Sequence, residues 1–406
     1  MLSSLYNLYG ENFIELSLGL LMPDHSELKT RSIENYEKFF SKKTTEVELS
    51  PAGFILLGDH THYNEGLLIG CALSFYSAVI LHKRNDNKIR LKVGDAKLYE
   101  FDTEGVSIPS GDFNTTLVIE IIKILKENEL IDAGFDCYIE SYIPRCAGLG
   151  YYSSIIMGFL NSINTKLSLG IEINELLEIG YKAQKVMIGQ IANKATLLAS
   201  LVSKENSFIH VDLRKKEPEY ISTEKKLQLI IFDTGEKIDN PQMICNERID
   251  ECNVGVKGLR LYIWGIKNLR DIKPDFLAKH IHMIPRRVYN RCLYNVDERL
   301  RVEEILNAKP ENKLQALSEN IFNSHKSLSE LYDLSTQKID YLVKKASDSD
   351  LFFGAKMISC SSFRSLYAIV EENNAEAAIK ELSEKYSEKY EGTLNTFVLN
   401  IVKGSV

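Results

Sequence analysis

The chain has 406 residues, 44% of them apolar and 26% charged, and a formal net charge of −7. That length exceeds one ordinary hydrophobic core and predicts two domains, and the composition is that of a globular protein. The acidic balance excludes a general binder of nucleic acid or anionic membranes, and no apolar run approaches the ~20 residues of a membrane span.

The first residues carry Glu11 and Glu15 early and lack a basic leader, so they do not read as a signal peptide. Seven cysteines (Cys71, Cys137, Cys146, Cys245, Cys252, Cys292, Cys360) are odd in number and free of C-x-x-C spacing. The pattern predicts reduced thiols in a cytoplasmic protein, not disulfides or a structural zinc.

Residues 1 to about 45 are moderately polar and predict helix. Phe54 to Leu57 then reads as a short buried strand leading into a dense polar loop, Gly58-Asp-His-Thr-His-Tyr-Asn64. Loops on rigid scaffolds are where binding groups concentrate, so Asp59, His60, His62 and Asn64 are candidates for hydrogen-bonding a small polyhydroxylated ligand. Zinc is the weaker reading of His60-x-His62 with Asp59, since the chain offers no obvious further ligand, and no metal site is assigned.

Strands are predicted at Ala78 to His82 and Ile89 to Val93, joined by a turn at Asn85 to Asn87. A helix starts near Asn114, with Leu117, Val118, Ile121, Ile122 and Leu125 on its apolar face. A strand over Phe135 to Glu140 precedes a small-residue turn, Cys146 to Gly150, and a helix with Ile155, Phe159, Ile163 and Leu167 spaced by four. A glycine turn feeding a helix N-terminus is a natural anion site, although close helix–strand packing gives the same signal. A second helical region runs from Ile173 to about Ser203. Strands follow at Phe208 to Val211 and Leu227 to Phe232, with a composition shift near 212 to 226 that predicts a domain crossover.

The chain then reads as mainly helical to about 347, with His280, His282, Arg286, Arg287 and Arg291 on solvated faces. Gly354 to Val370 predicts a strand, a small-residue turn and a further strand or short helix. A helix over 375–389 and a closing strand with Phe397, Leu399 and Ile401 end the chain. Interleaved strands and helices place the fold in the α/β to α+β class.

Three segments, in order and spacing, resemble the galactokinase family of the GHMP small-molecule kinase superfamily. Pro51 to Asn64 is similar to its PGRVNLIGEHTDYN motif, Pro144 to Ser154 to its phosphate loop PxGAGLSSSAS, and Gly354 to Ser365 to its glycine motif GARMTGGGFGG. Asn246-x-Arg248-x-x-x-Cys252 and Ser324 to Ser327 extend the match. The resemblance implies a two-domain GHMP-kinase fold with the ligand cleft between the domains. The divisions expected are an N-terminal extension (1–34), an α/β domain (35–212) and an α+β domain (213–406). It also implies ATP and magnesium as cofactors and a sugar as the small polar ligand.

The chain departs from the family at the positions that carry the chemistry. The family's Arg and its general-base Asp fall at Gly53 and Thr196. The degenerate phosphate loop reads Gly148, Gly150, Tyr151, Tyr152, Ser153 and Ser154, with phenols in place of phosphate-binding serines. The C-terminal glycines become Ser359, Cys360, Ser361 and Ser362, and a sugar-binding Tyr becomes Cys245. The expectation is a catalytically impaired galactokinase-like protein, a pseudokinase, serving as a ligand sensor, a regulator or a subunit with a protein partner or homo-oligomer. The alternatives are an active sugar kinase with His62 as base, and unrelated chemistry on the same fold.

Overall fold

The computed structural model describes residues 25–406 except 104, 106–111 and 216, so the helix predicted over the first 45 residues is described only from His25. In chain order the elements are α1 (His25–Phe40), β1 (Glu48–Leu57), β2 (Leu67–Lys83), β3 (Lys88–Val93), β4 (Tyr99–Asp102), α2 (Phe113–Glu127) and β5 (Phe135–Ser141). Next come α3 (Tyr151–Lys166), α4 (Ile173–Ile188), α5 (Lys194–Val202), β6 (Ser207–Asp212), β7 (Glu219–Ser222) and β8 (Leu227–Lys237). The last part comprises α6 (Pro241–Leu259), α7 (Pro274–Lys279), α8 (Arg286–Asn307), α9 (Lys313–Glu330), α10 (Gln337–Ser347), β9 (Phe352–Met357), β10 (Phe363–Glu371), α11 (Ala375–Lys389) and β11 (Asn395–Val402).

A single mixed sheet runs β4-β3-β5-β2-β11-β8-β10-β9, with β1 and β6 also paired to β2, and β7 to β6. Only β3 and β5 pair in parallel; the rest of the described pairs are antiparallel. The strand predicted at Ala78 to His82 is the far end of the 17-residue β2, which is buried on both faces and so shows no alternation. That length lets β2 pair with β1, β5, β6 and β11 along its course.

The helical region predicted from Ile173 to Ser203 is broken at Gly189 (φ +64), and α5 restarts with Asn193 as its N-cap. The Asn193 side chain accepts from the Ala195 amide, satisfying one orphan donor of the new helix. In the crossover near 212 to 226, β7 pairs back onto β6, so this segment extends the sheet before β8 begins.

α3 seats Ile155, Ile156, Phe159, Leu160 and Ile163 fully inside the larger core, which joins α2 to α5 with β1, β2, β5 and β6. Each such side chain contributes roughly 1.5–3 kcal/mol of burial. A second core joins α6, α8, α10 and α11 to β8, β9 and β10. The larger core also takes in Leu229, Ile305, Ile321 and Tyr367 from the second half of the chain. No described helix is long and apolar enough to cross a membrane.

One surface expectation is corrected. Arg291 is buried, not solvated: its guanidinium donates to Glu251 (2.8 Å) and to the Leu331 carbonyl (2.5 Å), so pairing compensates its burial. His280 stacks on Phe276 with centroids 3.8 Å apart. The cysteines are corrected too, because Cys245 and Cys360 form a disulfide with Cα atoms 6.2 Å apart, while Cys71, Cys137, Cys146, Cys252 and Cys292 are free. Their separation of 115 residues hides the pairing from any reading of spacing.

Candidate functional site

β1 ends at Leu57, and Gly58 turns the chain with φ +84, where a Cβ would meet the Leu67 carbonyl at 2.1 Å. The Thr61 hydroxyl closes the turn on the Gly58 carbonyl at 2.6 Å. His60 is held with φ +61, an uncommon conformation for a non-glycine residue. The loop therefore presents its side chains from a tightly fixed backbone.

Asp59 is taken up by protein donors. Its carboxylate receives Lys356 Nζ, the Tyr294 hydroxyl (3.1 Å) and the Ser359 hydroxyl (2.7 Å). Lys356 is 1% exposed and also lies 3.7 Å from Glu298, which is fully buried. Glu298 in turn accepts from the Gly58 amide (3.0 Å) and from Arg301 (2.6 Å). This charged network pins the loop to α8 and β9. Burial pushes the Asp59 carboxyl up, but Lys356, with help from His60 and Ser359, brings it down to about 2.

His60 is buried beside the Tyr332 ring (5.0 Å) with Nε2 3.9 Å from Cys360 Sγ. Burial lowers its pKa to about 4, with Asp59 only partly opposing. Both ring nitrogens of His62 are buried and make no hydrogen bond of good geometry; burial lowers that ring to about 3, with the nearby backbone of Gln190 and Ile191 opposing in part. Asn64 is structural: it donates to Asn295 (3.2 Å) and accepts from the Leu269 amide (3.1 Å).

His60 supplies a pH prediction. Its folded value lies below the unfolded 6.5, so its neutral form is favoured in the fold. That contribution is present above pH 6.5 and is lost as pH falls towards 4. Between pH 6.5 and 5 the loss is about 2 kcal/mol. Urea midpoints of the parent and of His60→Gln, compared at pH 7 and pH 5, should show a shallower decline in the variant. Equal declines would contradict the assignment.

The anion-loop candidates lie close by. Gly148 (φ +70) and Gly150 (φ +78) shape the turn, and Gly150 packs so tightly on β1 that a Cβ would meet the Gly53 carbonyl at 2.6 Å. The Ser153 hydroxyl donates to the Gly150 carbonyl (2.8 Å) and accepts from the Gly53 amide (3.1 Å). The Ser154 hydroxyl donates to the Ser50 carbonyl (2.6 Å) and accepts from the Ser77 amide (3.0 Å). Both hydroxyls are thus buried in the helix–strand seam. Tyr151 is buried with its phenol accepting from Arg145 (3.1 Å), and Tyr152 lies against Phe113 (5.3 Å) and the edge of Tyr151.

Gly53 and Thr196 are brought into direct contact. A Cβ on Gly53 would stand 1.9 Å from the Thr196 carbonyl oxygen and 2.8 Å from the Ser200 amide. The Thr196 hydroxyl donates to the Asn193 carbonyl at 2.8 Å, as an N-terminal helix threonine commonly does. The turn between β9 and β10 joins the other segments. Ser359 donates to Asp59, Cys360 bonds to Cys245 on α6, and the Ser361 hydroxyl and Ser362 amide both reach the Cys146 carbonyl (3.2 and 2.8 Å). The space lined by Ile244, Cys245, Ser359, Cys360, Ser361 and Arg364 holds only about 10 Å³, room for one water at most.

Lys356, Glu298, Tyr294 and Tyr332 belong to this centre and were not singled out from the sequence. Lys356 lies inside the GAKM stretch of the third motif, a usable signal. Glu298 and Tyr294 sit on a long helix whose charge pattern looks like any solvated face.

This sheet, with its glycine turn before α3 and its C-terminal turn meeting the loop after β1, defines a GHMP-type kinase scaffold. The GHMP kinases N terminal domain family matches residues 116–199. The chain's likeness runs to galactokinases. The Limosilactobacillus reuteri galactokinase is 25% identical over 387 residues, covering 93% of this chain and 98% of that protein. The Fusobacterium nucleatum galactokinase is 25% identical over 381 residues, 92% and 98% of the two chains. The fold is similar to that of Lactococcus lactis galactokinase complexed with galactose, with a TM-score of 0.84, 23% identity and coverage of 92% and 98%. It is more distantly similar to a mevalonate kinase, with a TM-score of 0.59 and 17% identity.

Proposed function

We propose that this chain is a galactokinase-like protein that has lost phosphoryl transfer and acts as a small-ligand sensor, regulator or partner subunit in the cytoplasm. The observation that carries this reading is the contact between Gly53 and the Thr196 carbonyl. An arginine at position 53 has no volume there, and Thr196 supplies no carboxylate to accept a proton. The two groups that the resemblance assigns to charge stabilisation and general base catalysis are both missing.

The loop before α3 does not fit a magnesium-bound triphosphate either. Ser153 and Ser154 already use their hydroxyls between β1, β2 and α3, and freeing them would leave buried backbone groups unpaired. Asp59 and Asn64 likewise make their bonds within the protein, which leaves His62 as the group of this loop with hydrogen-bonding capacity for a polar ligand. The ligand class is a sugar or similar polyol, bound between the domains taken as 35–212 and 213–406. A second reading, a sugar kinase with His62 as base, is favoured by the near full-length likeness to proteins named galactokinase. It requires a base poised near the working pH, whereas burial holds His62 near 3.

A calorimetric titration with ATP and magnesium separates the two. The expected dissociation constant is weaker than about 1 mM, equivalent to roughly −4 kcal/mol. Micromolar affinity would overturn the proposal.

A further inference from the structure

Three side chains that the reading above leaves without a role converge from three parts of the fold. His60 comes from the loop after β1, Cys245 from the first turns of α6, and Cys360 from the turn between β9 and β10. Their ligand atoms lie within 4.8 Å of one another. His60 is 3% and Cys245 2% exposed, and Cys360 is partly exposed. We propose that, with the Cys245–Cys360 disulfide reduced, His60 Nε2 and the two thiolates bind a soft divalent transition metal of the zinc class.

The donor set is one that zinc takes, two thiolates and one imidazole with a solvent molecule as fourth ligand. Zinc–sulfur bonds of about 2.3 Å and zinc–nitrogen bonds of about 2.0 Å put tetrahedral ligand atoms roughly 3.5–3.8 Å apart. His60 Nε2 already stands 3.9 Å from Cys360 Sγ, and a Cα separation of 6.2 Å lets the sulfurs part by side-chain rotation. His60 (φ +61) and Cys360 (φ +54) both hold left-handed backbone. Each such residue costs on the order of 1–3 kcal/mol and persists where the surroundings impose it, which is frequent at ligand sites. Here both residues of the His60–Cys360 contact are held in that way.

The chemistry balances. A thiol reductant delivers two electrons and two protons to the disulfide, giving two cysteine thiols and the reductant's own disulfide. The metal then displaces the two thiol protons as it forms two metal–sulfur bonds. Disulfide and metal are alternative states of one site, and each ties α6 to the turn whose Ser359 holds Asp59. The site is independent of whether the protein transfers phosphate.

The test uses the full chain, reduced with a phosphine that does not compete for the metal, and titrated with cobalt(II). The expected result is one cobalt per chain with thiolate-to-metal charge-transfer absorption, displaced by one equivalent of zinc, and no such absorption in the oxidised protein. Cys360→Ser should remove the band and weaken zinc binding by roughly 100-fold or more, whereas Cys146→Ser should keep both. Reduced protein that keeps its far-ultraviolet dichroism but develops no charge-transfer band overturns the proposal. So does a band that survives Cys360→Ser. Loss of the fold on reduction also overturns it, because the bond is then structural.

Discussion

Lys356→Met is expected to destabilise the protein by about 3–5 kcal/mol, since it strands the Asp59 carboxylate and removes a neighbour of buried Glu298. The cost comes from leaving charge buried without a partner, not from the intrinsic worth of the ion pair. Asp59→Asn in the same background should therefore recover part of the loss, because it removes the uncompensated charge while the amide oxygen still accepts from one of the Tyr294 and Ser359 hydroxyls. Residues in one network couple by about 0.5–3 kcal/mol, and a double-mutant cycle from urea denaturation measures that term. A Lys356→Met effect below about 1 kcal/mol, or a coupling near zero, would show that the network does not anchor the loop. The same network predicts that Asp59→Ala weakens the fold and not ligand binding alone.

Gly53→Ala should be similarly costly, about 3 kcal/mol or more, which is the upper end of overpacking effects. The obstructing atoms are the backbone of α5, the Thr196 carbonyl and the Ser200 amide, so no change of side-chain rotamer relieves the clash. Gly53→Arg meets the same obstacle with a longer chain, and pairing it with Thr196→Asp should not create a working kinase. Thermal or urea denaturation of Gly53→Ala checks the premise. A variant within about 0.5 kcal/mol of the parent would mean that α5 yields readily, and the Arg position could then be rebuilt.

The fold was legible because α2, α3 and the closing strand carry clear periodicity, and because three motif segments retain their order and spacing. What the periodicity missed has physical causes. β2 is buried on both faces, so its alternation vanishes, and the break at Gly189 lies inside a stretch that is apolar on either side. The site was legible as a list of positions but not as a set of bonds. The sequence put Asp59 and Asn64 on a binding loop, while their partners Lys356, Tyr294, Asn295 and Leu269 lie more than 200 residues away. Gly53 read as a missing arginine, and only the packing of α5 reveals that its place is filled. The disulfide was unreadable for the same reason, two unremarkable cysteines converging across the fold.

The central claim, a kinase scaffold without phosphoryl transfer, is tested most directly by ADP release with magnesium, ATP and galactose. A positioned base is worth on the order of 10²–10⁴ in rate and a group stabilising transition-state charge roughly 10²–10³. Groups that act as a unit do not multiply, so the larger single loss sets the scale. Starting from a typical turnover of about 10 s⁻¹, the predicted result is galactose-dependent release below about 0.1 s⁻¹, unchanged in His62→Ala. Release faster than that, lost in His62→Ala, would contradict the account and make the chain a kinase with a rebuilt site.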